Sequence, residues 1–213
     1  MRKIGVIGTG DVGTALADGW GGSMVASELS DVLFGSPMPI MSRANLGVLD
    51  ADNVNILVHG HEPLLSDVLA IVSKDEALNA KARAKGAKGI GLAGICCTAN
   101  EVLMRRGVPI AGNFLQQELA IVSGAVEAML VDVQCVMPGV VQAAACFHTE
   151  IIATSTQAQF PGTVPMEVAP DRAPESARAI VGRAGSSPCR PKASSCSPGT
   201  DRFFRMTSII LPI

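Results

Sequence analysis

The chain has 213 residues, 48% of them hydrophobic, enough to bury a core as one large domain or two small ones. Its 17 basic and 19 acidic residues leave a net charge of −2, so the electrostatic footprint of a nucleic-acid binder is missing. No run of 18 apolar residues offers a membrane span, and the N-terminus lacks a signal-peptide layout, so a cytoplasmic location is expected.

Aromatic residues make up only 3% and Tyr is absent, so the core must be built from Val, Ile, Leu, Ala and Met. That is the composition of a buried parallel sheet. Six cysteines in a reducing compartment read as ligands, catalytic groups or core residues rather than disulfides.

Residues 1–49 form a glycine-rich N-terminal segment. Its opening, MRKIGVIGTGDVG, places Gly8, Gly10 and Gly13 in a G-x-G-x-x-G pattern after a short apolar run. Glycines so spaced let a backbone approach a pyrophosphate at a helix N-terminus. The acidic residue expected about 20 positions further on would be Glu28 or Asp31. A dinucleotide-binding, reductase-like module is one reading of this segment, and a glycine-rich turn is the other.

Residues 50–156 alternate apolar runs with helical patterns. Residues 54–58 (VNILV) read as a strand. Residues 64–84 carry helical spacing, with Ser66 as a candidate cap and Gly86 placed to end the helix. Residues 89–95 (GIGLAGI) form the next strand, and 100–106 a short helix stopped by Gly107. A third strand is expected at 108–111, then a helix near 116–124. Residues 128–133 (AMLVDV) read as a fourth strand, 138–147 as a helix and 150–154 (EIIAT) as a fifth strand. Such alternation predicts an α/β fold: a parallel sheet with right-handed crossovers and helices on both faces. Residues 157–213 accumulate Pro, Ser, Arg and Cys and lose periodicity after about Arg183, so residues 184–213, with Cys189 and Cys196, read as an irregular tail.

Three motifs follow strands. His59-Gly60-His61-Glu62-Pro63 follows the first, Cys96-Cys97 the second, and Gln134-Cys135 the fourth. Ligands of open α/β sheets bind outside the carboxyl ends of the strands, so all three motifs are expected at one edge. Thiolates with imidazole are the soft donor set of iron–sulfur and nickel chemistry. Taken singly, His61 also suits a helix cap or a core histidine, and Cys97 and Cys135 suit small buried hydrophobes. Cys146 is expected in the core on an Ala-rich helix face, and His148 at a helix end. Arg105 and Arg106 read as structural charges at a helix C-terminus, and Glu62 as either an outer carboxylate or a solvated one.

The segments GICCTANEVLMRRG (residues 94–107), the run through HGHEP ending at Pro63, and VDVQCVMP (residues 131–138) resemble anaerobic, nickel-containing carbon monoxide dehydrogenase. The resemblance extends over roughly residues 15 to 180, with further matches at 15–24, 31–35, 42–49 and 112–128. It implies that residues 50–183 are a Rossmann-like middle domain ligating a nickel–iron–sulfur cluster. By motif, His61 would bind the unique iron, with His59 the competing choice. Cys97 and Cys135 would supply thiolates, while Cys96 would lie beside the cluster. The implied reaction converts CO and water to CO2, two protons and two electrons, with a ferredoxin-like acceptor. The family forms homodimers and carries additional 4Fe-4S clusters. Its members are considerably longer, and the helical N-terminal domain and the C-terminal domain with the remaining cysteine ligands have no counterpart in this sequence. The resemblance therefore implies a fragment whose activity is incomplete as it stands, or an inactive remnant.

Overall fold

The computed structural model describes residues 25, 29, 31–33, 35, 41, 43–99, 103, 105–132 and 135–186. Gly8, Gly10 and Gly13 lie outside the described residues, as do Glu28, Cys189 and Cys196. The chain divides into Met1–Pro39 and Ile40–Ile213. In the first unit residues 31–33 are helical; the second carries the sheet.

Six strands form one parallel sheet: β1 (Val54–His59), β2 (Ile90–Ile95), β3 (Ile110–Gly112), β4 (Ala128–Val131), β5 (Glu150–Ala153) and β6 (Val164–Pro165). Their spatial order is β3-β2-β1-β4-β5-β6, with every pairing parallel. This is the doubly wound order, which reverses direction between β1 and β4. The α/β sheet with helices on both faces is thus as expected from the alternating runs.

Burial explains why β1 shows no polar alternation. All six of its residues are buried, because both faces of the sheet are covered. Ile56 and Val58 pack with Leu65 and Leu69 of α1 (Pro63–Val72) and with Ile180 and Val181 of α5 (Ala173–Ala184). Leu57, Ile95 and Met129 point the other way, onto Ile121 of α3 (Gln117–Val122) and Val140 of α4 (Gly139–Ala144). Each such side chain removed from water contributes about 1.5–3 kcal/mol.

The long helix expected over residues 64–84 is two helices. Asp75 interrupts it, accepting a hydrogen bond from the Ala77 N–H at 2.9 Å and capping α2 (Glu76–Ala84). The cap of α1 is Glu62, whose carboxylate accepts from the Leu64 N–H, and not Ser66. Ser66 lies inside the helix and donates to the Glu62 carbonyl four residues back. Pro63, at the first helical position, explains the earlier start, since its missing N–H is not needed there. Gly86 ends α2 with φ +95°, as its position suggested. Among the described strands and the helices longer than one turn, two were not foreseen. β6 is a two-residue edge strand that tolerates Pro165, and α5 is an Ala-rich helix packed beside α1.

Candidate metal centre

Register brings the motifs together. His59 stands level with Ile95 on one side and Val131 on the other, so β2, β1 and β4 end at the same height. The chain then enters the turn at residues 60–62, a single helical turn at Cys96–Thr98, and the loop carrying Cys135. These three segments meet where the strand order reverses, the usual ligand crevice of a doubly wound sheet.

Backbone hydrogen bonding fixes the turn after β1. Asp132, buried just beyond β4, accepts the His61 N–H at 2.5 Å and the Glu62 N–H at 3.1 Å. Gly60 makes the approach possible. Its φ is +138°, and a Cβ there would overlap the Asp132 carboxylate. The Gly60 carbonyl in turn accepts from the Thr98 N–H at 3.0 Å and the Thr98 hydroxyl at 2.5 Å. One turn is therefore tied to the ends of both neighbouring strands.

Two strand spacings separate β2 from β4, about 10 Å. Thiols rising straight from those strands would stay that far apart. Cys96 (φ 66°) and Cys135 (φ 55°) instead adopt left-handed backbone, and no other described non-glycine residue does so. The conformation costs roughly 1–2 kcal/mol at each. With it, a ring nitrogen of His61 and the sulfurs of Cys97 and Cys135 lie within 4.8 Å of one another. His61 and Cys97 are half-buried, Cys135 is exposed, and the buried Cys96 sulfur stands 3.9 Å from that of Cys97. Local desolvation, followed by the neighbouring Cys96 thiol, pushes the Cys135 thiol above its ordinary value.

His59 occupies a different environment. It is fully buried, and its Nε2 lies 3.1 Å from Oε1 of the buried Gln117. That same oxygen accepts the Met137 N–H at 3.0 Å, while the Gln117 amide donates to the Phe114 carbonyl at 2.6 Å. Since Gln117 Oε1 only accepts, His59 Nε2 carries the proton. Burial pulls the His59 pKa down, opposed in part by Gln117 and Asp132, so the ring is held neutral. His59 thus links β1 to α3 and to the Cys135 loop, and it is not among the three convergent donors. Asp132 and Gln117 escaped the reading of the sequence. The available signal was a carboxylate directly after an apolar strand, inside VDVQCVMP.

The remaining candidates fall elsewhere. Cys146 sits half-buried in the turn after α4, not on the helix itself. The His148 ring is buried at the opposite end of the sheet, with Nε2 3.4 Å from Glu127 Oε1. Arg106 makes a two-pronged ion pair with Asp67 of α1, at 2.6 and 2.8 Å, in keeping with a structural role.

The Prismane/CO dehydrogenase family model matches residues 9–197. The chain belongs to that family. Carbon monoxide dehydrogenase 1 of Methanosarcina mazei is 60% identical over 168 residues, which is 79% of this chain but 27% of that protein. Among solved structures, the as-isolated nickel-free carbon monoxide dehydrogenase of Thermococcus sp. AM4 is 53% identical with a TM-score of 0.77, covering 82% of this chain and 28% of that one. Carbon monoxide dehydrogenase IV of Carboxydothermus hydrogenoformans gives 47% identity and a TM-score of 0.78, covering 89% and 29%. The chain thus spans a little over a quarter of the length of these carbon monoxide dehydrogenases. Within the family fold, the convergent donors are soft thiols and an imidazole, which suits them to nickel and iron–sulfur chemistry.

Proposed function

We propose that this chain is the central, cluster-ligating segment of an anaerobic carbon monoxide dehydrogenase, with His61, Cys97 and Cys135 as its contribution to a nickel–iron–sulfur centre. The carrying observation is the meeting of one imidazole and two thiols at the strand-order reversal. When bound, such a centre supplies metals that activate CO and water for conversion to CO2. The chain's own residues hold donors in place. Asp132 and Gly60 fix the backbone of His61, the Thr98 hydroxyl ties that turn to the cysteine pair, and Gln117 secures the Cys135 loop through the Met137 N–H. A ferredoxin-like acceptor, additional 4Fe-4S clusters, a homodimeric assembly and a cytoplasmic setting belong to this reading for the complete enzyme.

The assignment is tested by producing the chain anaerobically with the complementary segments of a full-length relative, then reconstituting with iron, sulfide and nickel. Bound iron and CO oxidation are then measured. Cys97→Ala or Cys135→Ala should strip the iron, whereas Cys189→Ala should retain it. Equal iron in all three variants sinks the ligand assignment.

A further inference from the structure

We propose that Gln117 is a positioning residue for one donor of the three, Cys135. His59, the first histidine of the HGH motif, holds the Gln117 amide in the orientation that this requires. The inference rests on the reading of Cys135 as a ligand and concerns what sets its place. The other two donors share one set of ties: Asp132 holds the His61 N–H, and Thr98, next after Cys97, bonds to the Gly60 carbonyl. The Cys135 loop is fastened elsewhere. Cys135, Met137 and Pro138 are exposed and Val136 is half-buried, so burial contributes little to holding the loop. Even the Met137 side chain is exposed. What is anchored is its backbone N–H, which donates to Gln117 Oε1 at 3.0 Å.

Gln117 is suited to this by what it accepts and donates at once. It is fully buried at the first position of α3. Its carbonyl oxygen has two lone pairs, filled by the Met137 N–H and by His59 Nε2 at 3.1 Å. Its amide nitrogen donates to the Phe114 carbonyl at 2.6 Å. Turning the amide over would set N–H groups against both donors, so His59 and Met137 together fix which way Oε1 points. Burial sharpens that preference, since a buried donor left without a partner is costly. Gly139, which opens α4, lets the two segments close up: a Cβ there would stand 3.1 Å from Oε1 of Glu118, the next residue of α3. Anchored two residues beyond Cys135, the loop keeps its left-handed turn, and the sulfur stays within reach of Cys97 and His61. Methionine fills a similar volume with only a weakly accepting sulfur. Glutamate keeps the acceptor and, when ionised, loses the donation to Phe114.

The probe is phenylarsine oxide, added anaerobically to the reduced, metal-free full chain carrying Cys96→Ala, so that Cys96 cannot compete for Cys97. Its arsenic exchanges one oxygen for two thiolates and releases water, with no change of oxidation state, and peptide mapping identifies the bridged pair. Cys97 and Cys135 should be bridged in this parent. Gln117→Met should weaken the bridge by the roughly 10–100-fold that loss of an outer partner costs, and His59→Leu by less, since Gln117 keeps its other two bonds. Gln117→Glu should largely restore the bridge even though its urea midpoint falls with the lost Phe114 bond. A residue that served stability alone would show bridging and midpoint falling together in both Gln117 variants. That result, or an unweakened bridge in Gln117→Met or His59→Leu, would overturn the inference. Should a variant not fold, hydrogen exchange in the wild type decides instead: the Met137 N–H should be protected although its loop is exposed, and rapid exchange would overturn the inference. A failure here while Cys135→Ala strips the iron leaves the proposed function standing. A bridge that obeys Gln117, beside iron that survives Cys135→Ala, sinks the proposed function instead.

Discussion

Gly60 and Asp132 show how much of the proposed metal site lies outside its proposed ligands. Gly60 needs a positive φ, and it also needs an absent side chain so that the Asp132 carboxylate can reach two backbone N–H groups. Gly60→Ala should therefore cost more than about 1 kcal/mol of stability, since alanine fits neither the conformation nor the space. A lowered urea midpoint with weakened metal retention is the expected result. Asp132→Ala should cost about 1–3 kcal/mol by leaving two donors without their acceptor. It should also lower metal affinity at the proposed site by roughly 10–100-fold, read as the iron retained after reconstitution, while leaving His61, Cys97 and Cys135 themselves in place. That His61, Cys97 and Cys135 share one edge of the sheet was expected because soft donors stood directly after apolar runs; their assignment as donors rested on the family motifs. Asp132 was not, because its partners are distant along the chain and the contact depends on strand register. The choice between His59 and His61 was likewise open in the sequence. Side chains two apart on a strand share a face, and only the Gln117 contact places His59 in its own environment.

At the scale of elements, the break between α1 and α2 is the most instructive departure. Periodicity continued through residues 73–75, yet Asp75 found two partners outside a continuous helix. It caps α2, and it pairs with Arg178 of α5. The Arg178 guanidinium, above all by its hydrogen bond, holds the Asp75 carboxyl below the usual carboxylate range. A carboxylate whose folded pKa is depressed contributes stability above its unfolded pKa and loses that contribution as pH falls through the folded value. Asp75→Ala should thus lower Tm near neutrality, and the gap to the wild type should shrink in acid below the usual carboxylate range. Thermal melts across that range check the sign. The turn after β1 is instructive in another way. In dinucleotide-binding sheets of this order that turn carries the glycine triplet for pyrophosphate, and here it carries Gly60-His61-Glu62.

At the scale of the molecule, the α/β class was readable because short apolar runs and helical patterns alternate. Strand order was not, since nothing local says that β4 returns to pair with β1. β6 was hidden by its length and by Pro165, and α5 by an Ala-rich face with weak contrast against the surrounding loops. The chain covers 27% of its Methanosarcina mazei relative, and of the three convergent donors Cys135 is the exposed one.

The level ending of β2, β1 and β4 has a kinetic meaning. Each donor arrives on a different strand, and the three strands are adjacent only when both halves of the sheet have been wound and docked. In the unfolded chain the three donors are far apart along the sequence, whereas the native sheet brings them together. Metal retention at the proposed site would therefore report the pairing of β4 with β1, because its donors follow strands on both sides of β1.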